Sequence, residues 1–272
     1  MMTTTQPVAL VTGASSGIGK AATLALAEVG FEVVGTSRNT AGVSHRDGVM
    51  FLDLDLASDE SVSSVVGRVI ERYGRLDVLV NNAGIGTAGA AEESSVAQDQ
   101  RIFDVNVFGL IRMTKAVLPY MRAQGRGRII NISSVVGFLP QPYMAVYAAS
   151  KHAVEGYSES LDHEIREHGV RVLLVEPAYT KTAFEANSVR PDTPLPLYAQ
   201  QRHIFEQLAA TAVRDGDDPA AVAKVIVAAA TDPKPKLRYT AGPRAARVST
   251  LRRIVPARAF DKQIRKLNRL AG

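Results

Sequence analysis

From Thr12 to Gly19 the chain reads Thr-Gly-Ala-Ser-Ser-Gly-Ile-Gly, and no other string narrows the fold as much. It follows Val8-Ala9-Leu10-Val11, an apolar run of strand length. It opens into Lys20 to Val29, where alanines and leucines recur at helical spacing. Strand, glycine-rich turn and helix, in that order, are the context a dinucleotide site needs. The glycines at 13, 17 and 19 let the backbone approach a pyrophosphate. The helix N-terminus adds free N–H groups and a partial positive charge. The spacing is G-x-x-x-G-x-G, not G-x-G-x-x-G.

The rest of the chain repeats strand–helix units. Strands are expected at 8–12, 32–36, 49–53, 76–81, 128–133, 171–176 and 237–241, and helices near 17–29, 59–73, 97–123, 147–168, 199–213 and 218–230. Such alternation predicts an α/β fold, a doubly wound seven-stranded parallel sheet with helices on both faces. Residues 1–242 read as one dinucleotide-binding domain. Pro191, Pro194 and Pro196 mark a loop inserted after the sixth strand, and 243–272 is a basic helical extension.

Tyr147 and Lys151 stand four residues apart in Y-A-A-S-K, which puts them on one helix face. Free tyrosine titrates near ~10. A nearby cation favours the phenolate and is expected to lower that value. The pair can then exchange a proton with a carbonyl oxygen or an alcohol.

With T-G-A-S-S-G-I-G and Y-A-A-S-K, three further strings occur in order: N-N-A-G at Asn81 to Gly84, D-V-N-V at Asp104 to Val107, and I-S-S at Ile132 to Ser134. Together they resemble the short-chain dehydrogenase/reductase family of the compact Rossmann type, over about residues 8 to 182. The resemblance implies hydride transfer between a nicotinamide cofactor and a carbonyl or secondary alcohol. It implies Tyr147 as general acid/base, Ser134 as the serine that orients the substrate oxygen, and Lys151 as the ribose-binding lysine. Asn106 would bend its helix and anchor a water joined to the lysine. Ser133 is expected to point to the opposite face from Ser134.

The same resemblance places the cofactor on Gly13, Ser15, Ser16, Gly17, Ile18 and Gly19. Further contacts are implied at Asp55 and Leu56, at Asn81, Ala83 and Gly84, and at Pro177, Thr180 and Thr182. Ala178 stands where the family usually has glycine, so a negative φ is expected there. Asp55 has a second reading, as a turn-shaping residue before a helix capped by Ser58 or Asp59. An NAD-preferring fold wants an acid about 20 residues past the glycine turn. Ser37 occupies that place and Arg38 follows, which suits a 2′-phosphate. NADP(H) is therefore the expected cofactor. An NAD-linked alcohol dehydrogenase and a non-catalytic NADP-binding regulator are the rival readings.

Walls for a lipophilic substrate are expected from Phe138, Tyr143, Met144, Tyr179 and Phe184, with Leu139 and a lid around Leu195, Leu197 and Tyr198. The string S-S-V-V-G-F and the basic tail are similar to the hydroxysteroid- and retinol-type branches. The family also implies a homodimer or tetramer formed through the long helices near 97–123 and 147–168.

The chain has 272 residues and no cysteine, so thiolate nucleophiles, disulfides and zinc–thiolate sites are excluded. No apolar stretch approaches a membrane span of ~20 residues, and 1–7 does not read as a signal peptide, so a cytoplasmic location is expected. The five histidines, at 45, 152, 163, 168 and 203, form no ligand pattern, and no metal is expected. From Pro233 onward there are twelve Lys or Arg against one acid, whereas the preceding residues are net acidic. Val248, Leu251, Ile254, Phe260, Ile264, Leu267 and Leu270 interleave with those bases. Terminal helices packed on the body are one reading, and peripheral contact with an anionic membrane is another. No nucleic-acid motif accompanies the charge.

Overall fold

The computed structural model describes residues 5–42 and 49–270; His45 lies outside them. Seven strands form one parallel sheet: β1 (Val8–Val11), β2 (Glu32–Ser37), β3 (Met50–Asp53), β4 (Val78–Asn81), β5 (Gly127–Ile132), β6 (Val170–Pro177) and β7 (Arg238–Ala241), in the spatial order β3-β2-β1-β4-β5-β6-β7. Leu10 lies between Val34 and Leu79 in register. The order reverses between β1 and β4, and a crevice opens there at the carboxyl ends of the strands.

The strands are apolar on both sides because helices cover both sides. Val8, Leu10, Leu79, Ile129 and Val172 face α2 (Asp59–Tyr73), α4 (Leu110–Ala123) and α5 (Ala145–Ile165). Ala9, Val11, Val80, Ile130 and Val175 face α1 (Gly17–Glu28) and α7 (Pro219–Thr231). The two helices on this second face bring alanines to the sheet, including Ala22, Ala223 and Ala229, so they pack closely. Ser58, not Asp59, caps α2: its side chain accepts from the Ser61 amide. α6 (Ala199–Arg214) follows the long loop after β6.

The helix expected at 97–123 runs through that span, but not as one regular helix. α3 (Val96–Phe103) passes into a π-helical turn, Asp104–Gly109, and then into α4. Such turns admit an extra residue and often mark functional sites. Asn106 sits inside this one.

The tail forms α8 (Pro243–Ile254) and α9 (Ala257–Leu267). Ala245 is fully buried, whereas Leu251, Ile254 and Leu267 are exposed. Arg252 Nε donates to the Phe138 carbonyl at 3.2 Å, and Gln141 Nε2 donates to Asn268 Oδ1 at 2.7 Å. The tail thus clasps the segment that leads into α5. Among the described residues no helix is long and apolar enough to cross a membrane.

Candidate active site

The glycine turn is held in shape from below. Gly17 has φ +54°, and a Cβ there would lie 3.2 Å from the Thr182 methyl. A Cβ at Gly19 would lie 2.2 Å from the Gly13 carbonyl oxygen, so only glycine fits. Asn82 closes the turn: its Nδ2 donates to the Thr12 carbonyl at 2.9 Å and to that of Gly13 at 3.2 Å. Ser16 precedes α1 with no side-chain cap, leaving the helix N-terminus free for an anion.

This turn opens onto a cavity of about 720 Å³ lined at or just past the carboxyl ends of the strands from β1 to β6. Gly13, Ser15, Ser16, Gly17 and Ile18 form one wall. Ser37, the last residue of β2, and Arg38 just past it extend the wall, and Asp55 and Leu56 continue it past β3. Arg38 is exposed and makes no hydrogen bond or ion pair with any described residue. Asp55 Oδ1 accepts from the Ala57 amide at 2.9 Å, so this residue both lines the cavity and shapes its turn. Ala83 and Gly84 continue the lining past β4, Pro177 at the end of β6, and Thr180 and Thr182 past it. A cradle of this shape, with a free helix N-terminus and a Cβ-free floor, fits a dinucleotide.

Ser134, Tyr147 and Lys151 line the other end. Ser134 follows β5 in an extended conformation, and its hydroxyl lies 3.5 Å from the Pro177 carbonyl. Ser133 points the other way, buried against Gly137 and Glu155, as strand alternation requires. Tyr147 and Lys151 are both buried one turn apart on α5. Lys151 Nζ donates to the Ile132 carbonyl at 2.7 Å and lies over the Tyr147 ring, 5.7 Å from its centre.

The electrostatics correct one expectation. Burial pushes the Tyr147 phenol up rather than down, the Glu185 charge adds to this, and a hydrogen bond with Ser134 pulls against it. Burial also draws the Lys151 ammonium down to about 8, with Glu155 opposing. For both groups the largest cause is removal from water, which disfavours the charged form.

Asn106 lies behind the cavity and does not line it. Its amide spans the Ile85 backbone, with Oδ1 accepting from the Ile85 amide and Nδ2 donating to the Ile85 carbonyl, each at 2.9 Å. It fixes the 84–86 loop against the π turn. Gly84 leaves room for the Asn106 and Lys151 head groups, since a Cβ there would lie 3.2 Å from Asn106 Oδ1 and 3.9 Å from Lys151 Nζ.

Several expected contacts fall elsewhere. Gly19 lies beneath the turn, not on the cavity surface. Asn81 is buried in the sheet, bonded to Asn131 and Thr114, and Asn82 lines the cavity instead. Phe138 and Tyr143 do not line it. Phe138 anchors the tail through its carbonyl, and Tyr143, at φ +65°, stacks on Phe205 at 6.0 Å. Met144, Tyr179 and Phe184 do line it, and the Phe184 ring sits 5.6 Å from that of Tyr147. Leu195, Leu197 and Tyr198 do not line the cavity either; buried Glu93 ties their segment to the loop after β4, accepting from the Leu195 amide at 2.7 Å. Ala178 replaces glycine without strain, because the described non-glycine residues with positive φ are Tyr143 and Arg269.

Two features gave little sequence signal. Glu155, four residues past Lys151, pairs with Arg238, which also holds Glu176 at 2.6 Å and Glu159 at 2.9 Å. Glu185 lines the catalytic end, where burial lifts its carboxyl to about 7. Among the described residues no group of His, Cys, Asp or Glu is placed to hold a metal.

Comparison with known proteins agrees with this geometry. The family model described as short chain dehydrogenase matches residues 7–192. A 3-ketodihydrosphingosine reductase from Bacteroides thetaiotaomicron is 44% identical over 180 residues, 66% of each chain. Retinol dehydrogenase 8 from Bos taurus is 36% identical, over 84% of this chain and 79% of that one. A short-chain dehydrogenase from Streptomyces avermitilis superposes with a TM-score of 0.84 at 36% identity, over 98% of this chain and 99% of its own. A Burkholderia phymatum relative in complex with NAD gives 0.82 at 27%, over 97% of both chains. A metagenomic short-chain oxidoreductase in complex with NADP gives 0.68 at 30%, over 86% of this chain and 96% of its own.

Proposed function

The chain belongs to the short-chain dehydrogenase family of oxidoreductases, and from that premise we propose that it is an NADP(H)-dependent enzyme that interconverts a lipophilic carbonyl compound and its secondary alcohol. One observation carries this reading: Ser134, Tyr147 and Lys151, from two different elements, line the same cavity as the glycine turn. When bound, the nicotinamide supplies the hydride.

In reduction, Tyr147 gives its proton to the carbonyl oxygen. Ser134 donates a hydrogen bond to that oxygen and holds it beside the phenol. Lys151, poised over the Tyr147 ring, favours the phenolate left behind. Lys151 and Asn106 then form the route by which Tyr147 regains a proton. The complete set of Asn106, Ser134, Tyr147 and Lys151 argues against a non-catalytic cofactor-binding regulator.

Preference for NADP(H) rests on Arg38, an exposed guanidinium on the cavity rim where an acid would repel a 2′-phosphate. The NAD-linked reading draws on the relative in complex with NAD. The apolar side chains Met144, Tyr179 and Phe184, and relatives named for sphingoid and retinoid substrates, support a lipophilic substrate. Pairing of two copies through α3, α4 and α5 is supported by exposed Val96 and Phe108. A cytoplasmic location and a tail that extends the same domain complete the reading.

Tyr147→Phe tests it. Loss of the proton donor should lower turnover of a lipophilic ketone by about 10²- to 10⁴-fold, with NADPH affinity changed only a few-fold in calorimetry. Retention of most of the turnover would sink the assignment.

A further inference from the structure

Glu185 is an acid in a place that gives it nothing to bind. It belongs to the turn after Thr182, and that turn is fixed at both ends. The Phe184 amide donates to Thr182 Oγ1 at 3.2 Å, the Ser188 amide to the Glu185 carbonyl at 3.1 Å, and the Val189 amide to the Gly86 carbonyl at 2.8 Å. Its carboxyl lines the cavity beside Tyr147 and Tyr179, half-buried, with no hydrogen-bond or ion-pair partner among the described residues. The cations that line the cavity are Arg38, out past β2, and Lys151, which is bonded to the Ile132 carbonyl. Asp55, the other acid in the lining, lies past β3. The catalytic end thus carries one unpaired carboxyl group among apolar and aromatic side chains.

An unpaired carboxylate in such surroundings is costly. It also works against the chemistry, because its charge raises the Tyr147 phenol and resists formation of the phenolate. A neutral donor on the ligand would fill its hydrogen-bonding capacity and leave its charge in place. A cation would fill that capacity and also neutralise the charge, lifting the field from Tyr147 at the moment the proton leaves. We propose that Glu185 is a specificity-determining residue that binds the protonated amine of a substrate carrying an ammonium group close to its reducible carbonyl. This rests on the reading of the cavity as a carbonyl-reducing site and names a substrate class for it.

The test compares a long-chain α-amino ketone with its deamino and α-hydroxy analogues, using NADPH and NADH. The wild-type protein should prefer the amino ketone over both. In Glu185→Gln, a near-isosteric change, the ratio of kcat/KM for the amino ketone to that for the deamino ketone should fall by about 10- to 150-fold, the value of a charge-assisted hydrogen bond. Equal preference for the three ketones in the wild type, or an unchanged ratio in the variant, overturns the proposal. So does a hydroxy ketone that rivals the amino ketone. If the wild type reduces none of the three, the reductase reading falls, and Glu185 is then judged by binding. Calorimetry should show dodecylamine binding the wild type more tightly than dodecanol, with that preference lost in Glu185→Gln. Equal binding of the two by the wild type overturns the role of Glu185 without reference to turnover.

Discussion

The ammonium of Lys151 stands over the ring of Tyr147, 5.7 Å from its centre, while donating to the Ile132 carbonyl at 2.7 Å. The carbonyl fixes the lysine in position, and burial makes its charge easy to lose. That combination sets the first prediction. In the proposed mechanism reduction uses the charged lysine, so kcat/KM should be level at neutral pH and fall as pH rises through about 8. Lys151→Arg, whose guanidinium keeps its proton, should lose that alkaline limb even if the rate is lower. An unchanged limb in the variant would assign the titration to another group.

The same shift has a sign for stability. Unfolded, the lysine holds its proton to about 10.5, and folded, only to about 8. Between those values the unfolded chain binds more protons, so this group makes folding more favourable as pH rises. Denaturant unfolding of wild type and Lys151→Met should therefore diverge most below pH 8, with the variant gaining, and converge above about 10.5.

The proposed preference for NADP(H) is tested at Arg38. Arg38→Ala is expected to weaken NADPH binding by about 10- to 150-fold through loss of one charged bond, and to leave NADH nearly unchanged. Calorimetric titration of both cofactors measures it. Equal affinity of the wild type for the two would refute the preference.

Arg238 is the shared counter-charge for Glu155 and Glu176, which are both buried. Arg238→Met leaves two buried acids without it, and folding stability should drop by about 3–5 kcal/mol. Urea unfolding at pH 7 reads the loss. Adding Glu155→Gln and Glu176→Gln to the Arg238→Met variant should restore much of it, whereas no recovery would trace the cost to lost packing of the arginine stem.

The tail holds the segment leading into α5 through two contacts, Arg252 with the Phe138 carbonyl and Asn268 with Gln141. Truncation after Gly242 removes both and frees the segment leading to Tyr147. At about 1 kcal/mol for each contact, KM for a lipophilic ketone should rise by about 5- to 30-fold. Sedimentation with anionic vesicles, measured on the full and truncated chains, tests whether exposed Leu251, Ile254 and Leu267 with their neighbouring bases also bind membrane.

The glycine turn, the strand–helix alternation and the Tyr147–Lys151 spacing were legible in the sequence because each is a local pattern with a local physical cause. A glycine is required where no Cβ fits, a two-sided sheet needs apolar strands, and residues four apart share a helix face. Parallel pairing and the reversal beside β1 follow from that alternation. What the sequence left open was decided by contacts between distant segments. Asn81 and Asn82 are adjacent and chemically identical, yet strand alternation sends one into the sheet and the other to the glycine turn. Tyr143 was expected in the cavity wall, but its left-handed backbone turns its ring onto Phe205. The direction of the Tyr147 shift depends on how deeply the fold buries it, a quantity no four-residue spacing contains. Glu185 carries no motif at all. Only the turn tied to Thr182 and Gly86 gives it a place at the catalytic end, because burial and field are properties of everything packed around a group and not of its neighbours along the chain.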